Sequence, residues 1–263
     1  MQPLGKPFDE NIELSLASNY SDKINVTGWY ASDKLDGIRV LWTGRELYTR
    51  GGRKLSPPGY FTWGWPSSPL DGEMCLCPSL EHGLLPGLLT SSKPEAYLHI
   101  TMYVLDAPSL NIPYKQRLVT LVSTLTPSPS PFLALLPSKI ISSPQQVSTL
   151  LSDALARGHE GIILKNPNVL YERKRCWGVV KVKNHLDTEI TPLQLDKDWR
   201  GKDRLTGLFG DKKIHVLSGV CGNGLADCQR AIREGLKVTI RYCGLDAKGM
   251  PRQPVFHRIH FTL

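Results

Sequence analysis

Lys34-Leu35-Asp36-Gly37-Ile38-Arg39 is the stretch from which the rest of the chain can be read. It supplies an amine, an acid, a glycine that can turn the backbone, and a cation suited to phosphate or carboxylate. The strand-like Gly28-Trp29-Tyr30-Ala31 lies just before it, so the amine is expected at a strand end. On its own the hexapeptide specifies no chemistry.

Working outward, Ile38 to Trp42 and Glu46 to Thr49 read as strands joined by a Thr43-Gly44-Arg45-Glu46 hairpin turn, and Arg50-Gly51-Gly52 breaks the second. Ser56 to Pro69, with Phe61, Trp63 and Trp65 among prolines, reads as an aromatic-pinned loop. Leu70 to Met74, Tyr97 to Leu105, Gly161 to Lys165 and Trp177 to Val182 read as further strands. Ile112 to Thr124 and Val147 to Arg157 read as helices, the second ending at Gly158. Phe8, Ile12 and Leu16 have a loose helical spacing that would cap a core, and Ser79 to Leu89 reads as a short helix or loop. Thr126 to Pro144, rich in Pro and Ser, reads as a surface excursion within the domain.

After about Leu186 the texture changes. Asp187 to Arg204 is charged, and strands are expected over Lys213 to Gly219, Leu236 to Tyr242 and Val255 to Phe261, with a helix over Ala226 to Glu234. Short strands plus one helix suit a small, partly open β-barrel of the OB type. The expectation is an α+β protein with one domain over 1–186 and a second over 187–263.

Composition sets wider bounds. The chain has 263 residues, 41% hydrophobic and 21% charged, which is ordinary for folded domains. No apolar run is long enough to span a bilayer, and Asp9, Glu10 and Glu13 occupy the place of a signal-peptide core, so no membrane association and an intracellular, DNA-containing compartment are expected. The net charge of +8 and pI near 9.2 permit a polyanionic partner, and the excess is denser in the last third. Six cysteines without a Cys-x-x-Cys pair indicate neither a zinc site nor a disulfide framework. His99, His159 and His215 have no acid or nucleophile placed to use them and read as structural.

Groups with chemistry recur at strand ends: Lys34 and Arg39, Arg50, Glu73, Glu160 and Lys165, Lys181 and Lys183. One amine, two acids and several cations suit nucleotidyl transfer. A lysine attacks phosphorus only when neutral, and the cations Arg39, Lys181 and Lys183 are expected to crowd Lys34 and favour that form. The α-phosphate needs a divalent metal and cations on its oxygens. Glu160 is the candidate metal ligand, Lys181 and Lys183 would reach the phosphates, Glu73 would accept from a ribose hydroxyl, and Arg50 suits a terminal phosphate. Lys165 is read as either a site residue or a plain surface cation.

Read together, the hexapeptide resembles the Lys-x-Asp-Gly-x-Arg signature of the covalent nucleotidyltransferases. Thr49-Arg50-Gly51-Gly52, Asp71-Gly72-Glu73, Glu160 to Lys165 and Lys181-Val182-Lys183 follow in that superfamily's order. Within it the chain is most similar to the minimal ATP-dependent DNA ligases, which pair an adenylation domain with an OB domain. The closing run Gly249 to Arg258 also resembles the small bacterial-type enzymes. The resemblance implies an ATP-dependent ligase that seals nicked duplex DNA as a monomer, in repair or replication, through AMP carried on Lys34, with Mg2+ or Mn2+. It places Arg39 and Arg50 on phosphate or the nick 5′-phosphate, Glu73 on ribose, Glu160 on metal, and Lys181 and Lys183 on the α-phosphate.

Nucleic-acid contacts are expected at Arg50, at Arg173, Lys174 and Arg175 in a basic turn, and at Arg252 and Arg258. Leu105 stands where the family usually has an aromatic that stacks on adenine, and Tyr103 is the candidate substitute. Rival readings are an RNA ligase, a GTP-using capping-type enzyme and a non-catalytic nucleic-acid-binding relative.

Overall fold

The computed structural model describes residues 13–76, 84–91, 93–126, 130–246 and 248–260. Phe8, Ile12, Ser79 to Gly83 and Phe261 lie outside them. The chain divides into two compact units, Met1–Val182 and Lys183–Leu263, against the boundary after Leu186 expected from sequence.

Two sheets build the first unit. One has the order β1 (Leu16–Asn19), β11 (Arg175–Lys183), β10 (Gly161–Lys165), β2 (Tyr30–Lys34) and β9 (Ser138–Ile140). The other runs β5 (Lys54–Leu55), β4 (Leu47–Thr49), β3 (Ile38–Trp42), β6 (Leu70–Leu76), β7 (Ile100–Asp106) and β8 (Leu133–Leu135). Four helices, α1 (Gly59–Thr62), α2 (Leu85–Leu89), α3 (Tyr114–Leu125) and α4 (Gln146–Ala156), complete the described part of the unit. The opening hexapeptide is therefore a crossover: Lys34 ends β2 in the first sheet, and Arg39 belongs to β3 in the second.

Gly37 is required at this crossover. A Cβ there would lie 2.3 Å from the Met74 carbonyl oxygen and 2.9 Å from Glu73 Cγ, so any side chain would push β6 away. The second sheet packs a core that includes Val40, Leu47, Phe61, Met74, Ile100, Met102 and Val104, all buried. Phe61 and Trp65 anchor the proline-rich loop: Trp42 meets Trp65 edge-on at 5.3 Å, and Phe61 contacts Tyr97 at 5.0 Å. The aromatics of that loop serve packing, apart from Trp63, which faces solvent.

Several local expectations need correction. Leu16 belongs to a strand parallel to β11, not to a helix. The strand expected from Tyr97 begins at Ile100, because Pro94–His99 winds into a 3-10 helix led by proline. Thr126 to Pro144 is no simple excursion. Its Leu133–Leu135 pairs parallel with β7, and its Ser138–Ile140 pairs antiparallel with β2. Three-residue strands are too short to show a period of two, and prolines at 131 and 137 hide edge strands that tolerate them.

The second unit is one five-stranded sheet of order β14 (Lys212–Val216), β13 (Asp203–Phe209), β12 (Leu186–Lys197), β15 (Val238–Tyr242) and β16 (Val255–Ile259), with α5 (Asn223–Glu234) between β14 and β15. The charged stretch from Asp187 is the long strand β12. Its first half pairs with β15 and its second half with β13. Most of its side chains face solvent, so the sequence shows charge and little alternation. A parallel bridge between Ser218 and Val255 joins the chain just beyond β14 to β16, and the Phe256 N–H donates to the Ser218 carbonyl at 2.9 Å. The sheet thus curls into the partly open arrangement expected for an OB-type domain. Among the described residues, no helix is long and apolar enough to cross a membrane.

Candidate active site

A cleft of about 720 Å³, counted to its open mouth, lies between the two sheets of the first unit. Ser32, Lys34, Ile163, Lys165 and Val179 line it from one sheet, and Arg39, Asp71, Glu73, Leu105 and Asp106 from the other.

Lys34 and Glu160 are held together twice. The Glu160 N–H donates to the Lys34 carbonyl at 3.0 Å, and Gly161 is the ladder partner of Lys34. Lys34 Nζ then donates to Glu160 Oε2 in a close ion pair, with the carboxylate nearly buried and the amine partly open to the cleft. The expected crowding of Lys34 by cations is not what is found here. Its nearest charge is a carboxylate, and Arg39 is engaged elsewhere.

Arg39 donates from Nε to Asp71 Oδ1 at 2.5 Å and from Nη2 to Asp71 Oδ2 at 2.7 Å. Asp71 is fully buried and also accepts from the Tyr171 hydroxyl at 2.6 Å. Burial of the Tyr171 phenol, helped by the Asp71 charge beside it, pushes its pKa upward, so it remains a donor. Glu73, the ladder partner of Arg39, is pushed up to about 7 by burial, with Arg39 and Lys34 pulling the other way.

A second buried cluster closes the cleft. Asp106 accepts from Arg117 Nε at 2.6 Å and from Lys165 Nζ at 3.0 Å, and Lys165 also donates to the Leu105 carbonyl at 2.7 Å. The Lys165 ammonium sits 4.5 Å from the centre of the Tyr114 ring. Burial raises the Asp106 carboxyl, but the Lys165 and Arg117 charges and hydrogen bonds outweigh it and hold the pKa at about 2. Lys165 is buried and lines the cleft, so it is not a plain surface cation.

The remaining expected residues divide. Leu105 and Asp106, not Tyr103, are the β7 residues that line the cleft. Lys181 lies on β11 two residues beyond the cleft-lining Val179. Lys183 begins the second unit, where its Nζ donates to Gln253 Oε1 at 2.8 Å. Arg50 is exposed, and its backbone N–H is tied to the Arg39 carbonyl at 2.9 Å. Arg173, Lys174 and Arg175 are exposed on the connection into β11, and Arg175 also donates to the Ala17 carbonyl. Arg258 is exposed on β16, and Arg252 is half-buried just before it. Asp71, Asp106, Tyr114, Arg117, Leu136 and Tyr171 went unassigned in the sequence. For Asp71 and Asp106 the available signal was an acid at each of two strand ends.

The donor set also bears on a metal. Among the described residues, no group of three or more His, Cys, Asp or Glu forms a cage. Glu160 and Glu73 are nevertheless close enough for the Glu160 charge to act on Glu73. One or two carboxylates beside substrate phosphates suit Mg2+, which keeps much of its water, so the residues fit such an ion.

A cleft lysine at the crossover of two sheets, in a unit followed by a five-stranded sheet domain, is the arrangement that the resemblance to covalent nucleotidyltransferases led one to expect. The family model described as ATP dependent DNA ligase domain matches residues 68–183. The DNA ligase of Haemophilus influenzae is 29% identical over 253 residues, covering 94% of this chain and 92% of that protein. A solved Lig E DNA ligase superposes with a TM-score of 0.81 at 25% identity, over 94% of this chain and 98% of the other. The Chlorella virus DNA ligase-adenylate shares the fold with a TM-score of 0.59 at 17% identity, over 95% and 99% of the two chains. The chain thus carries a match to the ATP-dependent DNA ligase domain over residues 68–183 and is similar to DNA ligases, one of them of the minimal Lig E kind, over nearly its whole length.

Proposed function

We propose that Lys34 is the residue that carries AMP and that the protein, as a monomer in an intracellular compartment containing DNA, seals nicks in duplex DNA. The carrying observation is that Lys34 ends β2 inside the cleft, paired with Glu160 and facing Arg39 and Glu73 from the other sheet. In the first step the Lys34 amine, having lost its proton, attacks the α-phosphorus of ATP, and the bond to the β-phosphate breaks to release pyrophosphate. Glu160 orients the amine until then. Arg39 and Lys181 lie toward the phosphates, and Glu73 accepts from the ribose. Mg2+ or Mn2+ at Glu160 would neutralise phosphate charge.

AMP then passes to the 5′-phosphate at the nick. The 3′-hydroxyl attacks that phosphorus, the phosphodiester forms, and AMP leaves. Arg50, the exposed cations Arg173, Lys174, Arg175 and Arg258, and the half-buried Arg252 supply salt-sensitive contacts to the duplex.

Incubation with α-labelled ATP and magnesium is expected to give an acid-stable label on the wild type and none on Lys34→Ala. Label on the variant would reject Lys34 as the carrier. Parallel assays on nicks with DNA or RNA strands are expected to show sealing of DNA, and preference for RNA strands would reject the nucleic-acid assignment.

A further inference from the structure

Tyr171 lies outside the groups that face the substrates, yet its hydroxyl is placed where a basic segment meets the cleft. On one side it donates to the buried Asp71 carboxylate, which holds Arg39 with two further hydrogen bonds. On the other side it begins the run Tyr171-Glu172-Arg173-Lys174-Arg175, whose cations are exposed. That run is splinted along the start of β1 at three successive residues. The Ser15 N–H donates to the Tyr171 hydroxyl at 3.2 Å, the Leu16 N–H donates to the Lys174 carbonyl at 3.0 Å, and Arg175 donates to the Ala17 carbonyl at 2.7 Å. The ring is wedged beside Arg117, 5.9 Å from its guanidinium carbon. Tyr171 is therefore fixed at both ends, and the basic run cannot shift without disturbing the hydroxyl that completes the Asp71 shell.

The Asp71 shell matters because Arg39 has a second anion within reach. Glu73 is its ladder partner, and its charge acts on the guanidinium as that of Asp71 does. The Tyr171 hydroxyl strengthens the hold of Asp71 on that choice, since a buried carboxylate that loses a donor is left undersatisfied.

We propose that Tyr171 is a positioning residue that couples phosphate contact at Arg173, Lys174 and Arg175 to the orientation of Arg39 through Asp71. The proposal rests on the nick-sealing reading above. Engagement of the run by a nucleic-acid phosphate secures Tyr171 in the position it already holds, and Tyr171 keeps Arg39 seated on Asp71 at the cleft. Tyr171→Phe keeps the ring and removes only the hydroxyl.

The decisive measurement is single-turnover sealing of a nick that already carries AMP on its 5′-phosphate, comparing wild type, Tyr171→Phe, a variant with Arg173, Lys174 and Arg175 changed to Ala, and the combination. Each single variant is expected to slow sealing about tenfold, and the combination is expected to remain near that level, as for residues in one network. A combined loss near a hundredfold, the product of independent effects, would overturn the coupling, as would a Tyr171→Phe rate equal to wild type. The amplitude of the reaction separates positioning from damage to the fold. Positioning lowers the rate constant at full amplitude, whereas a smaller amplitude at an unchanged rate constant would mean a structural role only and would overturn the proposal. Asp71→Asn provides a second route: in that background Tyr171→Phe is expected to have little further effect on the rate. A wild type that neither labels with ATP nor seals would overturn the parent reading, whereas an active wild type with multiplicative effects would overturn only the coupling.

Discussion

Asp71 and Asp106 are ladder partners on adjacent strands, both buried in the wall of one cleft, yet they are neutralised differently. Asp71 faces one cation, Arg39, and takes its third hydrogen bond from a neutral phenol. Asp106 faces two cations, Arg117 and Lys165, and also accepts from the Ala107 N–H. The first cluster is electrically balanced and holds an arginine that is 26% exposed, and the second carries a surplus charge around an arginine that is 1% exposed. Arg117 is locked, its Nη1 also donating to the Ile112 and Val169 carbonyls, whereas Arg39 remains open to the cleft. The contrast separates a permanent strut from a working clamp, built from the same acid and arginine.

Removing the strut's acid should produce the largest change. Asp106→Asn leaves Arg117 and Lys165 buried without their anion, and breaking a buried ionic cluster in this way costs about 3–5 kcal/mol. Urea unfolding at neutral pH measures it, and a loss below about 1 kcal/mol would show that these cations have other compensation. Acid gives an independent check. Because the Asp106 pKa is depressed to about 2, its stabilisation is present above the ordinary carboxylate value of 3.8 and is lost as pH falls through about 2. Wild type and Asp106→Asn should therefore converge in stability at the acid end.

The equivalent change in the clamp should cost less. Asp71→Asn also removes an anion, but Arg39 can turn toward solvent or Glu73, so roughly 1–3 kcal/mol is expected. Its larger consequence is chemical: the rate of label transfer from ATP should fall more than stability does, since Arg39 loses its bidentate seat. Equal stability losses for the two variants would erase the distinction between strut and clamp.

How much of this was legible before the structure depends on the range of the interactions. The hexapeptide, Glu73 and Glu160 were readable because each contains or adjoins a glycine, where local residue types and spacing carry the signal, although Glu73 lies in the middle of β6 and not at the strand end expected. The hairpin after Trp42 was readable for the same reason. The Asp71 and Asp106 shells were not, because their partners are far along the chain: Tyr171 lies 100 residues from Asp71, and Lys165 lies 59 from Asp106. Nothing local marks Tyr171 or Arg117 as the residue that reaches back. The crowding expected around Lys34 was misjudged on the same point, because the structure pairs Lys34 with Glu160, Arg39 with Asp71 and Lys183 with Gln253. Strands β8 and β9 were hidden by brevity and by the prolines around them.

Glu73 provides the finest test, because it shares β6 with Asp71 and meets burial differently. Asp71 is surrounded by donors, whereas burial is the largest influence on Glu73 and lifts it from an ordinary 4.5 to about 7. Between those values the folded protein keeps a proton that the unfolded chain has released, so stability declines as pH rises through that window. The penalty is absent below about 4.5 and complete above about 7, the reverse of the Asp106 case. Glu73→Gln cannot ionise and should remove this part of the slope, so the variant's stability relative to wild type should rise from pH 4.5 to 7.5. A constant difference across that range would mean that Arg39 and Lys34 already balance the buried charge. In that event Glu73 would belong with Asp71 as a satisfied anion, and its role toward the ribose would not depend on pH near neutrality.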